Sequence, residues 1–265
     1  MGPMNLPNNH LGSAPYFAAA EWFRWCTPNP GARLRLFCFP HAGCGASVYR
    51  EWRTGLPEAI EVRPCQLPGR ENLTRLPMPL RLPELIDALV SVLVPHLDRP
   101  FAFFGHSMGA LVSFELARQL RRQHLPLPVC LLVASRRAPQ LTSPMPASDL
   151  LSEEALLAWV RKVGGTPEAL LAHPKWREHY LGILRADLRL TEHYLYRPEP
   201  PLGCPVFAYG GTHDTVVTHP QLAAWREQTA SAFTLQMLPG GHIFDPPMVQ
   251  QQLASMADRL GSFLI

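Results

Sequence analysis

Phe101-Ala102-Phe103-Phe104-Gly105-His106-Ser107-Met108-Gly109-Ala110-Leu111-Val112, continuing to Gln123, is the stretch that decides how this chain reads. The apolar run Phe101–Phe104 has the length and composition of a strand buried on both faces. Gly105-His106-Ser107-Met108-Gly109 then fits the pattern G-x-S-x-G, and an amphipathic helix follows at once. Its polar stripe holds Glu115, Arg118, Gln119 and Arg122, and its apolar side holds Leu111, Val112, Phe114, Leu116 and Leu120. Strand, G-x-S-x-G and helix in this order make a nucleophile elbow. Ser107 is expected on a strained turn that lifts its hydroxyl clear of the sheet edge. The glycines on either side keep side chains out of the bend. The helix N-terminus would aim backbone N–H groups at any oxyanion formed there.

On both sides of this unit the chain alternates strands with helices. Leu34–Phe39 (LRLFCF) is the first core strand, closed by Pro40. Glu61–Leu67 is the next, although Pro64 lies inside it and lacks a donor for the ladder. Pro83–Leu97 has apolar residues at helical spacing, Val129–Ala134 is another buried strand, and Pro205–Gly210 and Phe233–Leu238 are two more. Thr218–Thr229 and Pro247–Phe263 read as helices. Alternation of this kind predicts an α/β fold with a mostly parallel central sheet covered by helices on both faces. Ligands on such sheets bind outside the carboxyl ends of the strands. Residues 1–31, rich in Pro, Asn and Gly, are expected to form a flexible N-terminal arm. Trp22, Phe23 and Trp25 could pin the end of that arm to a body spanning 32–265. Between about 139 and 200 helical patterns follow one another with no strand between them. Ser152 caps the first, which Gly164-Gly165 stops. This block is expected to be an inserted helical lid, with simple packing on the sheet as the bland alternative.

Composition bounds the function. With 265 residues, 47% hydrophobic and 17% charged, the chain can bury one large core and is short for two enzyme domains. A net charge of +3 without a Lys/Arg block does not point to nucleic acid. No apolar run approaches membrane-spanning length and no signal peptide is evident, so neither membrane nor export is expected. The six cysteines show no C-x-x-C spacing, and Cys38, Cys65 and Cys130 fall in predicted strands. Reduced thiols and a cytoplasmic location follow as expectations. The histidines show no metal-ligand spacing.

A serine hydroxyl needs a base, and the base needs an orienting acid. In α/β-hydrolases the three follow in the order Ser, Asp or Glu, His. After the last strand, Pro239-Gly240-Gly241-His242 presents one histidine on a glycine-rich turn, so His242 is the candidate base. After Pro205–Gly210, the turn Gly211-Thr212-His213-Asp214 supplies Asp214 as candidate acid. The other possible acid position, past Val129–Ala134, carries Ser135-Arg136-Arg137 and no carboxylate. Asp245 lies too near His242 along the chain to be its partner. One oxyanion donor is expected from Met108 N–H and the other from the loop Pro40-His41-Ala42-Gly43. Ala42 is the choice there, with His41 and Gly43 as neighbours that could serve instead. This chemistry requires no cofactor.

Taken together, Phe39-Pro40-His41-Ala42-Gly43, Leu67-Pro68-Gly69-Arg70-Glu71, the elbow, Leu184-Arg185-Ala186-Asp187, Gly210–Asp214 and Gly240-Gly241-His242 resemble the type II thioesterases of polyketide and nonribosomal peptide assembly lines. The resemblance runs from Leu34 to about Phe263. It implies an α/β-hydrolase fold with a helical lid. It also implies hydrolysis of acyl or aminoacyl thioesters from the phosphopantetheine arm of an acyl or peptidyl carrier protein, for editing or release. Ser107, Asp214 and His242 match that family's nucleophile, acid and base, and Ala42 and Met108 match its oxyanion positions. Cys44 departs from the glycine common at that place. A medium-chain fatty acyl thioesterase of fatty-acid synthase would carry nearly the same motifs. A small-ester carboxylesterase would be expected to carry an HGGG-type oxyanion motif, which is absent. An inactive binding module on the same scaffold is disfavoured by the complete Ser-Asp-His order. The protein is expected to act as a monomer.

Overall fold

The computed structural model describes residues 19–142 and 148–264. Six strands form one all-parallel sheet: β1 (Leu34–Phe39), β2 (Ile60–Pro64), β3 (Phe101–His106), β4 (Leu131–Ala134), β5 (Val206–Gly211) and β6 (Phe233–Leu238). Their order across the sheet is β2-β1-β3-β4-β5-β6. The reversal between β1 and β3 puts β3, which carries the G-x-S-x-G turn, at the centre, in register with β1 (Phe37 with Phe103) and β4 (Phe104 with Leu132). Every residue of β1 through β5 is buried, the charged Arg35, Glu61 and Arg63 among them, as in a sheet covered on both sides.

The helices are α1 (Ala19–Trp22), α2 (Leu82–Leu93), α3 (Met108–Arg122), α4 (Glu153–Val163), α5 (Glu168–Ala172), α6 (Pro174–Glu192), α7 (His219–Ala223) and α8 (Pro246–Gly261). On one face α2 and α3 pack over Phe37, Phe39, Phe101 and Phe103, whose rings meet edge-on or tilted at 5.2–6.0 Å between centroids. Truncating one of these buried rings to alanine would cost about 3–5 kcal/mol. On the other face α8 covers Leu34, Leu36, Phe104 and Tyr209. Asp245 caps α8, its carboxylate accepting Met248 N–H at 2.9 Å, which gives this carboxylate a structural task.

Several boundaries differ from expectation for local reasons. The second strand stops at Pro64 and does not reach Leu67, because after one more bond to β1, Cys65 N–H to Cys38 O (2.9 Å), Gln66 N–H turns away to Trp22 O (2.8 Å). Pro83–Leu97 divides into α2 and a 3-10 turn at Val94–His96, which contains Pro95. Thr218–Thr229 divides into α7 and a 3-10 turn at Ala224–Gln228. Arg118, placed on the polar stripe of α3, is 2% exposed. The chain returning from α6 lies over it, and Arg118 pairs there with Glu115 (2.6 Å) and Glu199 (2.7 Å) against the rings of Phe114 and Tyr196.

Of the expected N-terminal arm, residues 1–18 lie outside the described residues. Trp22 and Phe23 are buried, and Trp25 Nε1–H donates to Glu71 (2.9 Å). All six cysteines are free thiols, and burial holds Cys38, Cys65 and Cys130 well above the usual thiol pKa, which keeps them protonated and inert. No described helix is long and apolar enough to cross a membrane.

Candidate active site

Ser107 follows β3 with φ 52° and ψ −110°, a conformation that costs a residue with a side chain energy and persists only where its surroundings impose it. The imposition is steric. A Cβ on Gly105 would strike the backbone of Gly109, and one on Gly109 would strike Phe39 O, so helix α3 can leave the strand this tightly only with glycine at both positions. Ser107 N–H donates to Ala134 O at 2.8 Å, locking the turn to β4.

His242 arrives from the turn after β6, and the structure brings it to Ser107. The serine hydroxyl lies 3.0 Å from His242 Nε2, and His242 Nδ1 lies 2.9 Å from Asp214 Oδ2. The carboxylate fixes the tautomer: Nδ1–H donates to Asp214, leaving Nε2 to accept from Ser107. Asp214 is held in turn, its Oδ1 accepting Val216 N–H (2.7 Å) and Val217 N–H (3.0 Å). The Asp214 side chain is fully buried and that of His242 is 6% exposed, so water does not compete for this pair. His106, inside the elbow motif, donates its Nε2–H to His242 O at 2.8 Å and so holds His242 through its backbone. Burial first, and then the neighbouring His41 and His242, hold His106 well below the usual histidine pKa. It therefore stays neutral, as a donor to a carbonyl beside another histidine should.

The loop after β1 passes beside Ser107. Met108 and Ala42 share the cleft with Ser107, and neither N–H has an acceptor among the described residues. Gly43 N–H, one of the neighbours that could have served as the second donor, is engaged: it donates to Asp187 Oδ2 at 2.8 Å. The same loop has φ +81° at Gly43, and a Cβ there would come within 2.9 Å of the Tyr180 ring.

Asp187 was legible only as part of a motif, without a role, and the structure supplies one. It projects from α6 and forms a two-pronged ion pair with Arg70 from the loop after β2 (Nη1–Oδ2 2.5 Å, Nη2–Oδ1 2.6 Å). Arg70 also donates to Cys44 O at 3.1 Å. Both partners are almost fully buried, at 4% and 1% exposure. The pair thus clamps the loop of Ala42 and Gly43 between the sheet edge and a helix more than a hundred residues away. Removing either partner would leave a buried charge uncompensated, at a cost of about 3–5 kcal/mol.

Between β4 and β5 the chain builds α4, α5 and α6, which share a small core of Leu156, Val160, Leu171, Leu181 and Leu184. Ser152 caps α4, accepting Ala155 N–H at 3.2 Å, and Gly164 (φ 82°) ends it. These helices stand over the carboxyl ends of the strands and enclose a cleft of about 780 Å³, counting its open mouth. Trp159, Val160, Tyr180, Leu184 and Leu188 line it from above, and Ser107, Met108, His242, Arg136 and Arg137 from below. Among the described residues no group of His, Cys, Asp and Glu has the spacing to hold a metal ion. A hydroxyl held against an imidazole nitrogen can attack a carbonyl carbon, and unclaimed N–H groups beside it can stabilise the resulting oxyanion.

Residues 34–260 match the thioesterase domain family. Over 225 residues the chain is 42% identical to the gramicidin S biosynthesis protein GrsT of Aneurinibacillus migulanus, covering 84% of this chain and 88% of that protein. It is 31% identical over 221 residues to the medium-chain S-acyl fatty acid synthase thioesterase of Homo sapiens, covering 82% of each. The solved structure of the type II thioesterase BorB from the borrelidin biosynthetic cluster superposes with a TM-score of 0.74 at 35% identity, covering 88% of this chain and 92% of that one. Parallel sheet, strand-end site and these relatives agree, and the chain belongs to the thioesterase family, with the α/β-hydrolase fold.

Proposed function

We propose that this protein removes acyl or aminoacyl groups from the phosphopantetheine arm of carrier proteins in nonribosomal peptide or polyketide biosynthesis, for editing or release. The observation that carries this reading is the Ser107–His242–Asp214 relay, at 3.0 and 2.9 Å, under a helical roof in a chain of the thioesterase family. Relatives named for gramicidin S and borrelidin biosynthesis support the substrate class.

In the proposed mechanism Ser107 Oγ attacks the thioester carbonyl carbon while His242 Nε2 takes its proton. The oxyanion rests on the N–H groups of Met108 and Ala42. The C–S bond then breaks, and the sulfur leaves as a thiol with the proton from His242. Ordinary thiols have a pKa of about 8.5, which makes this departure easy. Water, deprotonated by His242, attacks the acyl-serine and frees the acid, returning the proton to Ser107. Asp214 keeps the imidazole oriented and stabilises the imidazolium in both halves. The segment from about 139 to 200 acts as the lid of a body running from 32 to 265, and residues 1–31 as its arm. The enzyme works as a cytoplasmic monomer. No cofactor enters the reaction as written.

A fatty acyl thioesterase is the second reading, favoured by the human relative. One experiment separates the two: hydrolysis of the same acyl group from a phosphopantetheinylated carrier protein and from a free cysteamine thioester. Much faster release from the carrier is expected. Equal rates, rising with acyl chain length, would overturn the carrier reading in favour of the fatty acyl one.

A further inference from the structure

The mechanism needs Ala42 N–H to be aimed, and the turn that carries it is short. Cys44 N–H donates to His41 O at 3.3 Å, which closes a four-residue β-turn over His41-Ala42-Gly43-Cys44. Gly43, at the third position, has φ +81°, and φ at Ala42, the second, is negative. Those signs make it a type II turn.

The glycine does not choose this form. Types I and II differ in the central peptide, which turns over between them while the ends of the turn keep their places. Glycine takes φ of either sign about equally well. The choice therefore falls to whatever holds the Ala42–Gly43 peptide, and both of its polar groups are held. Gly43 N–H donates to Asp187 Oδ2 at 2.8 Å, and His41 Nδ1 lies 3.1 Å from Ala42 O. A carbonyl oxygen only accepts, so Nδ1 carries a proton in this contact, whatever the state of Nε2. Turned over, the peptide would point its carbonyl at the Asp187 carboxylate and its N–H at the Nδ1–H. Two hydrogen bonds would become two repulsions.

Both holders are themselves placed. Arg70 grips Asp187 with two N–H groups (2.5 and 2.6 Å). The His41 ring lines the cleft and meets His106 edge-on, with 5.4 Å between centroids. His106 in turn donates to His242 O at 2.8 Å, so one line of contacts runs from the base to this turn. We propose that His41 is a positioning residue: its Nδ1–H, opposite Asp187, locks the Ala42–Gly43 peptide in the type II form and keeps Ala42 N–H aimed at the oxyanion. That N–H shares a Cα with the locked peptide, and an oxyanion donor acts by being fixed before the charge develops. This rests on the thioesterase reading above.

The test compares His41→Asn with His41→Gln. Both lose the ring and its contact with His106. The Asn amide N–H stands where Nδ1–H stood, and the Gln amide reaches past Ala42 O. With butyryl-N-acetylcysteamine as substrate, His41→Gln should lower kcat about tenfold or more, a part of the about 10²–10³ that one oxyanion donor contributes, with KM nearly unchanged. His41→Asn should recover most of that loss. Propyl trifluoromethyl ketone supplies a second readout. Ser107 Oγ adds to its carbonyl carbon, the carbonyl electron pair becomes the oxyanion, and the proton passes to His242. Its affinity should fall in step with kcat across the variants. Equal kcat in the two variants overturns the lock. So does a rise in KM with kcat held, or a loss of kcat that follows melting temperature rather than the donor. Hydrogen exchange of the Gly43 amide, read by NMR, is independent of turnover. It should be slow in the wild type and His41→Asn and faster in His41→Gln. If the wild type hydrolyses no thioester, the thioesterase reading fails and this exchange alone judges the lock: the stated order sustains it, and equal rates in the two variants reject it.

Discussion

The floor and the roof of the cleft are built by different rules. The floor is the crest of a parallel sheet, with Ser107, Asp214 and His242 each on the turn immediately after β3, β5 and β6. The strands beneath Ser107 and Asp214 are buried along their whole length, and each of the three side chains is held by a partner that is itself held. The roof rests on a core of five buried side chains of its own, and Leu150 and Trp176 on it stand 79% and 59% exposed. Chemistry that needs positions good to a fraction of an ångström sits on the rigid part. The Arg70–Asp187 pair joins the two, since it fixes the loop of Ala42 and Gly43 with a side chain from the roof.

The comparison can be broken at the floor first. Ser107→Ala should abolish turnover on a carrier-bound substrate while circular dichroism and melting temperature stay near wild type. Appreciable residual hydrolysis would mean another nucleophile. Asp214→Asn should lower kcat by about 10³–10⁴, because the amide presents the wrong partner to His242 Nδ1. A rate near that of the wild type would show that another group orients the base.

The link between the two regions comes next. Asp187→Asn removes the charge facing Arg70 and leaves one oxygen for Gly43 N–H and Arg70 to share. It should lower kcat more than it raises KM, by a part of the about 10²–10³ that one oxyanion donor contributes. It should also lower the melting temperature. A fall in stability with kcat unchanged would reduce the pair to a structural brace.

The smallest effect concerns His106. Its pKa is depressed in the folded protein, so between that value and the ordinary histidine pKa of about 6.5 the unfolded chain binds the extra proton. The neutral imidazole therefore stabilises the fold fully above about pH 6.5, and that contribution is lost as pH falls below it. His106→Gln, which can still donate to His242 O, should flatten this part of the stability–pH profile. An unchanged slope would show that His106 titrates normally.

The floor was legible in the sequence because each of its parts is local. A glycine-flanked serine between strand and helix, and turns bearing Asp214 and His242 after later strands, need only alternation and chain order to be read. Gly43 remained open as an oxyanion donor until its N–H was seen to be taken by Asp187, 144 residues further on. Arg118 was misread because amphipathic periodicity reports polarity, and polarity does not distinguish water from the carboxylate of Glu199.

The central claim is that Ser107, strained on its elbow, is the nucleophile. Peptide-level mass spectrometry of the protein after reaction with a fluorophosphonate tests it most directly. The account predicts one adduct, on Ser107, formed at a rate that falls with Asp214→Asn and accompanied by complete loss of thioester hydrolysis. An adduct on another residue, or continued hydrolysis with Ser107 fully modified, would contradict it.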